Sequence, residues 1–184
     1  MADLAGKKVA YLGFSGPIDD EGTRKLCSAL NAAVNNQYDE VYLTFNTVGG
    51  YVAHGFYIYN HIRSLPISIT IHNTGTVASV GATLFVAAHR RLCAPTGVFM
   101  MHPVALGSNG QLMAESLQAT LQALLRDEER TELVLKERTS LSDDLLYKRR
   151  FTEVYLSAQE ALNFGLVEEV CAFALPAGNE VIHL

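Results

Sequence analysis

The chain has 184 residues, 49% hydrophobic and 18% charged, with a formal net charge of −5. That length suits one domain, residues 1–184, with a sizeable core. The acidic balance and the lack of a basic block exclude nucleic acid as a partner, and no run approaches the roughly 18 apolar residues of a membrane span.

The lysines of Met1–Lys8 precede no long apolar segment, so the start does not read as a signal peptide. Cys27, Cys93 and Cys171 are far apart and have no metal-ligand spacing. They suggest a reducing compartment, the cytoplasm by default. No metal and no cofactor is expected.

Val9–Gly13 reads as a first strand, ended by Gly16-Pro17. Asp19 or Asp20 can cap the helix that follows, whose face carries Leu26, Leu30, Ala33 and Val34. Glu40–Phe45 is a second strand, Asn46–Gly50 a turn, and Tyr51–Ser64 a helix. Ile67–His72 alternates and is β-branched, as a strand should be. After Asn73–Ala78 and Ser79, Val80–Ala88 reads as a buried helix.

Arg91–Ala94 and Gly97–Met101 are two short strands around the turn Pro95-Thr96. A loop at Gly107–Gly110 leads into the longest periodic segment, a helix over about 111–138. Leu117, Leu121, Leu124 and Leu125 form its apolar stripe. Ser142 caps a short helix, and Ser157-Ala-Gln-Glu160 is a capping box that starts another. Gly165 ends it, and Leu166–Val170 returns as a strand. Strands alternating with helices argue for an α/β fold of parallel units, in which chemistry gathers at the carboxyl ends of strands.

Three such ends carry candidate chemistry. Ser79 stands at a strand-to-helix junction among small residues. There a hydroxyl can meet a substrate while free helix amides face a developing negative charge. An ordinary N-cap serine fits the same position. His102 follows an apolar strand and precedes Pro103. It is either a structural histidine or the base that takes the serine proton. Such a base needs a carboxylate to hold its tautomer, and Glu153, Glu168 and Glu169 are the candidates. Gly49-Gly50 is either a plain turn or a place where an amide approaches an oxyanion, with the Val80 amide as second donor.

Four segments, in order, resemble the proteolytic subunit of the Clp protease, ClpP. Asn46-Thr-Val-Gly-Gly50 is similar to that family's Asn-Ser-Pro-Gly-Gly. Gly75-Thr-Val-Ala-Ser79-Val-Gly-Ala82 is similar to its Gly-Gln-Ala-Ala-Ser-Met-Gly-Ala. Val98-Phe-Met-Met-His102-Pro and Tyr155-Leu-Ser-Ala-Gln-Glu-Ala161 resemble its histidine segment and its Phe-Leu-Ser-Ala-x-Glu-Ala.

The resemblance implies a ClpP/crotonase-like spiral of β-β-α units with a protruding handle helix. It implies a serine endopeptidase with Ser79 as nucleophile and His102 as general base. Gly50 and Val80 would form the oxyanion hole, and Glu153 would stand where the family has aspartate. It further implies peptide or unfolded protein substrates and a homo-oligomeric ring, heptameric or stacked. The family's unfoldase-docking positions fall on Thr44, Ser64, His72 and Thr74, which are polar, so an ATP-dependent unfoldase should dock poorly. Two other readings compete: a catalytically inactive ring subunit, and a crotonase-type acyl-CoA enzyme with Arg90 and Arg91 as the nearest nucleotide-binding cations.

Overall fold

The computed structural model describes residues 6–105 and 114–184. Of the helix predicted from 111, residues 111–113 and the loop at Gly107–Gly110 lie outside the described residues.

Strand β1 (Val9–Ser15) leads into α1 (Asp20–Asn35). Asp19 caps α1 by accepting the Gly22 N–H at 2.8 Å, which satisfies one of the free amides of the first turn. Leu26, Leu30 and Ala33 are buried, as their spacing requires. Strand β2 (Glu40–Thr47) buries Val41, Leu43 and Phe45. Helix α2 (Val52–Ser64) follows, with Tyr51 in the cap position.

Strand β3 (Ser68–Ala78) runs six residues beyond the predicted end at His72. The physical reason is a change of neighbour. Thr70–Asn73 pair with β4 (Arg90–Cys93), whereas Thr76–Ala78 pair with β5 (Val98–Met101). Between them the Asn46 carboxamide accepts the Thr76 N–H at 2.9 Å, so polar residues that would otherwise read as a turn stay extended. Strands β4 and β5 therefore both run parallel to β3 and do not pair with each other in a hairpin. This exchange of partners along one strand gives the sheet its spiral.

Helix α3 (Val80–Phe85) is shorter than the predicted Val80–Ala88, which ends in turns. Helix α4 (Ala114–Arg138) is the long one; Val134 and Leu135 are buried, while Leu117, Leu121 and Leu125 are exposed. Helix α5 (Asp143–Lys148) is capped by Ser142. Strand β6 (Val154–Ser157) pairs antiparallel with β5, against the parallel rule of the rest. The capping box at Ser157 and Glu160 opens α6 (Ala158–Asn163).

The predicted strand Leu166–Val170 contracts to β7 (Glu169–Val170), beside β4. The tail returns as β8 (Ile182–His183) on the open edge of β1. The sheet order is β6-β5-β3-β2-β1-β8, with β4 between β3 and β7. Among the described residues no helix is long and apolar enough to cross a membrane.

Candidate active site

Strands β3 and β5 lie side by side and end together. Ala78 pairs with Met100, and the Ser79 N–H donates to the Met100 carbonyl at 2.7 Å. Ser79 follows one strand and His102 the other. Both line a single cavity, together with Gly50 and Val80.

Ser79 does not cap its helix. Its backbone has φ 58° and ψ −131°, and its side chain makes no capping hydrogen bond. A positive φ in a residue with a side chain is strained, by about 1–3 kcal/mol, and persists only where surrounding structure imposes it. The imposing contacts are the Met100 carbonyl and the turn at Gly49. A Cβ on Gly49 would lie 2.5 Å from Ser79 Cβ and 2.9 Å from the Ala78 carbonyl. Gly49 itself has φ 92°. Glycine is therefore required there, and it lets the turn pack directly on the serine.

The turn is tied down on its other side. Ile18 N–H donates to the Gly49 carbonyl at 2.8 Å, and Tyr51 N–H donates to the Ile18 carbonyl at 2.9 Å. Among the described residues the Gly50 N–H has no backbone partner. Val80 is the first residue of α3, so its N–H has no acceptor within the helix. Both residues line the cavity.

His102 is held through its backbone. Its carbonyl accepts from Arg149 Nη1 at 3.4 Å, and two residues on, the Val104 N–H donates to Glu128 Oε2 at 3.0 Å. Arg149 Nη2 and Glu128 Oε1 form an ion pair at 2.6 Å, angled away from hydrogen-bond geometry. Arg149 is 1% exposed. Burial pushes its pKa down and the charge of Glu128 opposes that.

The three candidate carboxylates separate clearly. Glu168 receives Arg91 through Nε at 3.0 Å and Nη2 at 2.9 Å, and Glu169 receives Arg90 at 2.6 Å. Both therefore belong to the β4–β7 side of the sheet. The same pairs occupy the two arginines that an acyl-CoA enzyme would need. Glu153 is exposed and accepts the Tyr155 hydroxyl at 2.7 Å. Among the described residues no carboxylate bonds the His102 ring. Yet Met101 pairs with Val154 in an antiparallel ladder, and one step further that register sets His102 opposite Glu153.

Cysteine nucleophiles have no support here. Burial pushes the Cys27 thiol up to about 11 and the Cys93 thiol up to about 12. His72, read as a cleft residue, is wholly buried between the Tyr42 hydroxyl at 2.7 Å and the Cys171 carbonyl at 3.0 Å. Thr44 and Thr74 line a hollow with Phe173 and His183 of the tail.

Sequence reasoning missed Arg149, Glu128, Thr83 and Thr131. The first two join α4 and α5 to the histidine segment, and the two threonines line or approach the cavity floor. One signal was available: Thr83 is a polar residue inside the segment Val80–Ala88 that reads as a buried helix. Nothing in the sequence marks Arg149 as buried.

Comparison with known proteins gives a consistent result. The family model described as Clp protease matches residues 7–173. The ATP-dependent Clp protease proteolytic subunit 3 of Rhizobium etli is 31% identical over 157 residues, 84% of this chain and 80% of its own length. The same-named subunit of Rhizobium meliloti is 32% identical over 157 residues, with the same shares. The ATP-dependent Clp protease proteolytic subunit 2 of Pseudomonas aeruginosa is 26% identical over 165 residues, 89% of this chain and 81% of its own length.

Proposed function

The chain belongs to the Clp protease family of serine peptidases, and from that premise we propose that it cleaves peptide bonds through an acyl-enzyme on Ser79. In this reading His102 takes the Ser79 proton as the hydroxyl attacks the carbonyl carbon. The carbonyl electrons move onto oxygen, which the Gly50 and Val80 amides stabilise. His102 then gives the proton to the leaving amine, and water repeats the sequence to release the acid. Glu153 orients the imidazole.

The observation that carries this reading is the strained serine. Ser79 holds a positive φ without capping its helix, in the same cavity as His102. Strain at a residue with no structural task is a mark of function. Hydrolysis of a fluorogenic peptide by wild type and by Ser79→Ala tests it. Loss of turnover in a variant that still assembles is the expected result; unchanged turnover removes Ser79 from the mechanism.

Substrates in this reading are peptides and unfolded proteins in the cytoplasm, met by residues 1–184 acting as one peptidase domain in a homo-oligomeric ring, heptameric or stacked. The exposed Leu117, Leu121 and Leu125 on α4 support packing between rings. The buried His72 and the polar Thr44 and Thr74 support weak docking of an apolar unfoldase loop. A second reading, an inactive ring subunit, draws on the Glu153–Tyr155 bond, which engages the orienting carboxylate elsewhere.

A further inference from the structure

The cavity that holds Ser79 and His102 continues inward. Its depth is formed by Val52, Thr83, Met101, Thr131, Leu135 and Arg149. Its volume is about 60 Å³. A water needs about 10–15 Å³ on that measure, so there is room for roughly four to six waters, or a side chain of as many heavy atoms. An aromatic side chain exceeds that. Polarity must decide among the rest.

Val52, Met101 and Leu135 give the cavity an apolar wall. Its other side is polar. Thr83 is 1% exposed, and its Oγ1 has no hydrogen-bond partner among the described residues. Thr131, from α4, is also buried. Arg149 Nε has no partner either, although Nη2 meets Glu128. An unpaired buried hydroxyl or N–H is costly, and a guest that bonds to it removes that cost. The carboxylate of Glu128 already compensates Arg149, so an anionic guest would face repulsion beside the attraction. A neutral guest escapes it. Thr83 and Ser79 line the same cavity, so a guest bonded to the Thr83 hydroxyl sits beside the nucleophile.

We propose that this cavity receives the side chain on the acyl side of the scissile bond and selects a short neutral one with a hydroxyl or carboxamide. Ser, Thr, Asn and Gln are favoured over Leu, Met and Phe, with Thr83 as the discriminating residue. This rests on the peptidase reading above. A site built to bond a polar group discriminates strongly against an isostere that lacks it, because its own groups are left unpaired.

The test is a set of fluorogenic peptides that differ only at the acyl-side residue, with fluorophosphonate labelling of Ser79 measured in parallel. Wild type is expected to cleave after Asn or Thr at least about tenfold more efficiently, in kcat/KM, than after Leu or Met. Thr83→Val should lower kcat/KM for the polar peptides while sparing the Leu peptide, and Thr131→Val, which keeps the shape and removes the hydroxyl, should shift preference toward Leu. Labelled Ser79 with a preference for Leu or Met, unchanged in Thr83→Val, overturns the selectivity and leaves the peptidase reading standing. No label and no cleavage of any peptide overturns both.

Discussion

The carboxylate of Glu153 accepts the Tyr155 hydroxyl at 2.7 Å, on the strand edge that the β5–β6 register sets opposite His102. The two acceptor oxygens can serve the tyrosine and the imidazole together or in turn. Replacing Glu153 with Gln should slow peptide hydrolysis by at least about tenfold, since an unoriented base loses its tautomer. Glu168→Gln, which only weakens the Arg91 pair, should change the rate by less than about twofold. Tyr155→Phe should leave the rate unchanged or raise it slightly. Steady-state kinetics on the three variants decides this, and a larger loss in Glu168→Gln would reassign the third member.

The turn at Gly49 carries the second prediction. A methyl there meets Ser79 Cβ and the Ala78 carbonyl inside contact distance, and its φ of 92° is unfavourable for alanine. Gly49→Ala should cost about 1–3 kcal/mol of stability. It should also displace the serine hydroxyl enough to lower the labelling rate by about 100-fold. Denaturant melts and labelling kinetics report the two effects separately.

The Arg149–Glu128 pair is buried, so removing one partner should be worse than removing both. Arg149→Met alone should cost about 3–5 kcal/mol, because it strands a carboxylate. Arg149→Met with Glu128→Leu should recover most of that loss. Chemical denaturation of the two variants measures the difference.

Stability should fall with acid in the histidine range. The Cys171 carbonyl can only accept, so His72 Nε2 carries the proton and Nδ1 takes the Tyr42 hydroxyl. Burial holds His72 below its ordinary pKa, and burial does the same to His89, whose Nδ1 accepts the Ile69 N–H. The unfolded chain therefore binds protons that the folded chain refuses. The contribution is complete above about pH 6.5 and shrinks as pH falls below it. The melting temperature should drop between pH 7.5 and pH 5.5, and His72→Gln should flatten that slope.

The parts of this fold legible in the sequence are those set by local chemistry. Asp19, Ser142 and Ser157 cap helices because their side chains reach amides three residues away. His102 follows its strand because the apolar run Val98–Met101 stops there, before Pro103. What depends on distant pairing was not legible. Asn73–Ala78 look like a turn until Asn46 and β5 pair with them. β8 forms only because β1 offers an open edge. Arg149 is buried only because Glu128 lies across from it on another helix. The placement of Glu153 opposite His102 likewise depends on the β5–β6 register, which no single segment encodes.

The most direct measurement is intact mass after incubation with a fluorophosphonate, for wild type and Ser79→Ala. One adduct on wild type, absent from Ser79→Ala, is the expected result and means that serine, base and oxyanion amides act together. A folded, oligomeric wild type that takes no adduct would contradict the peptidase account and favour an inactive ring subunit.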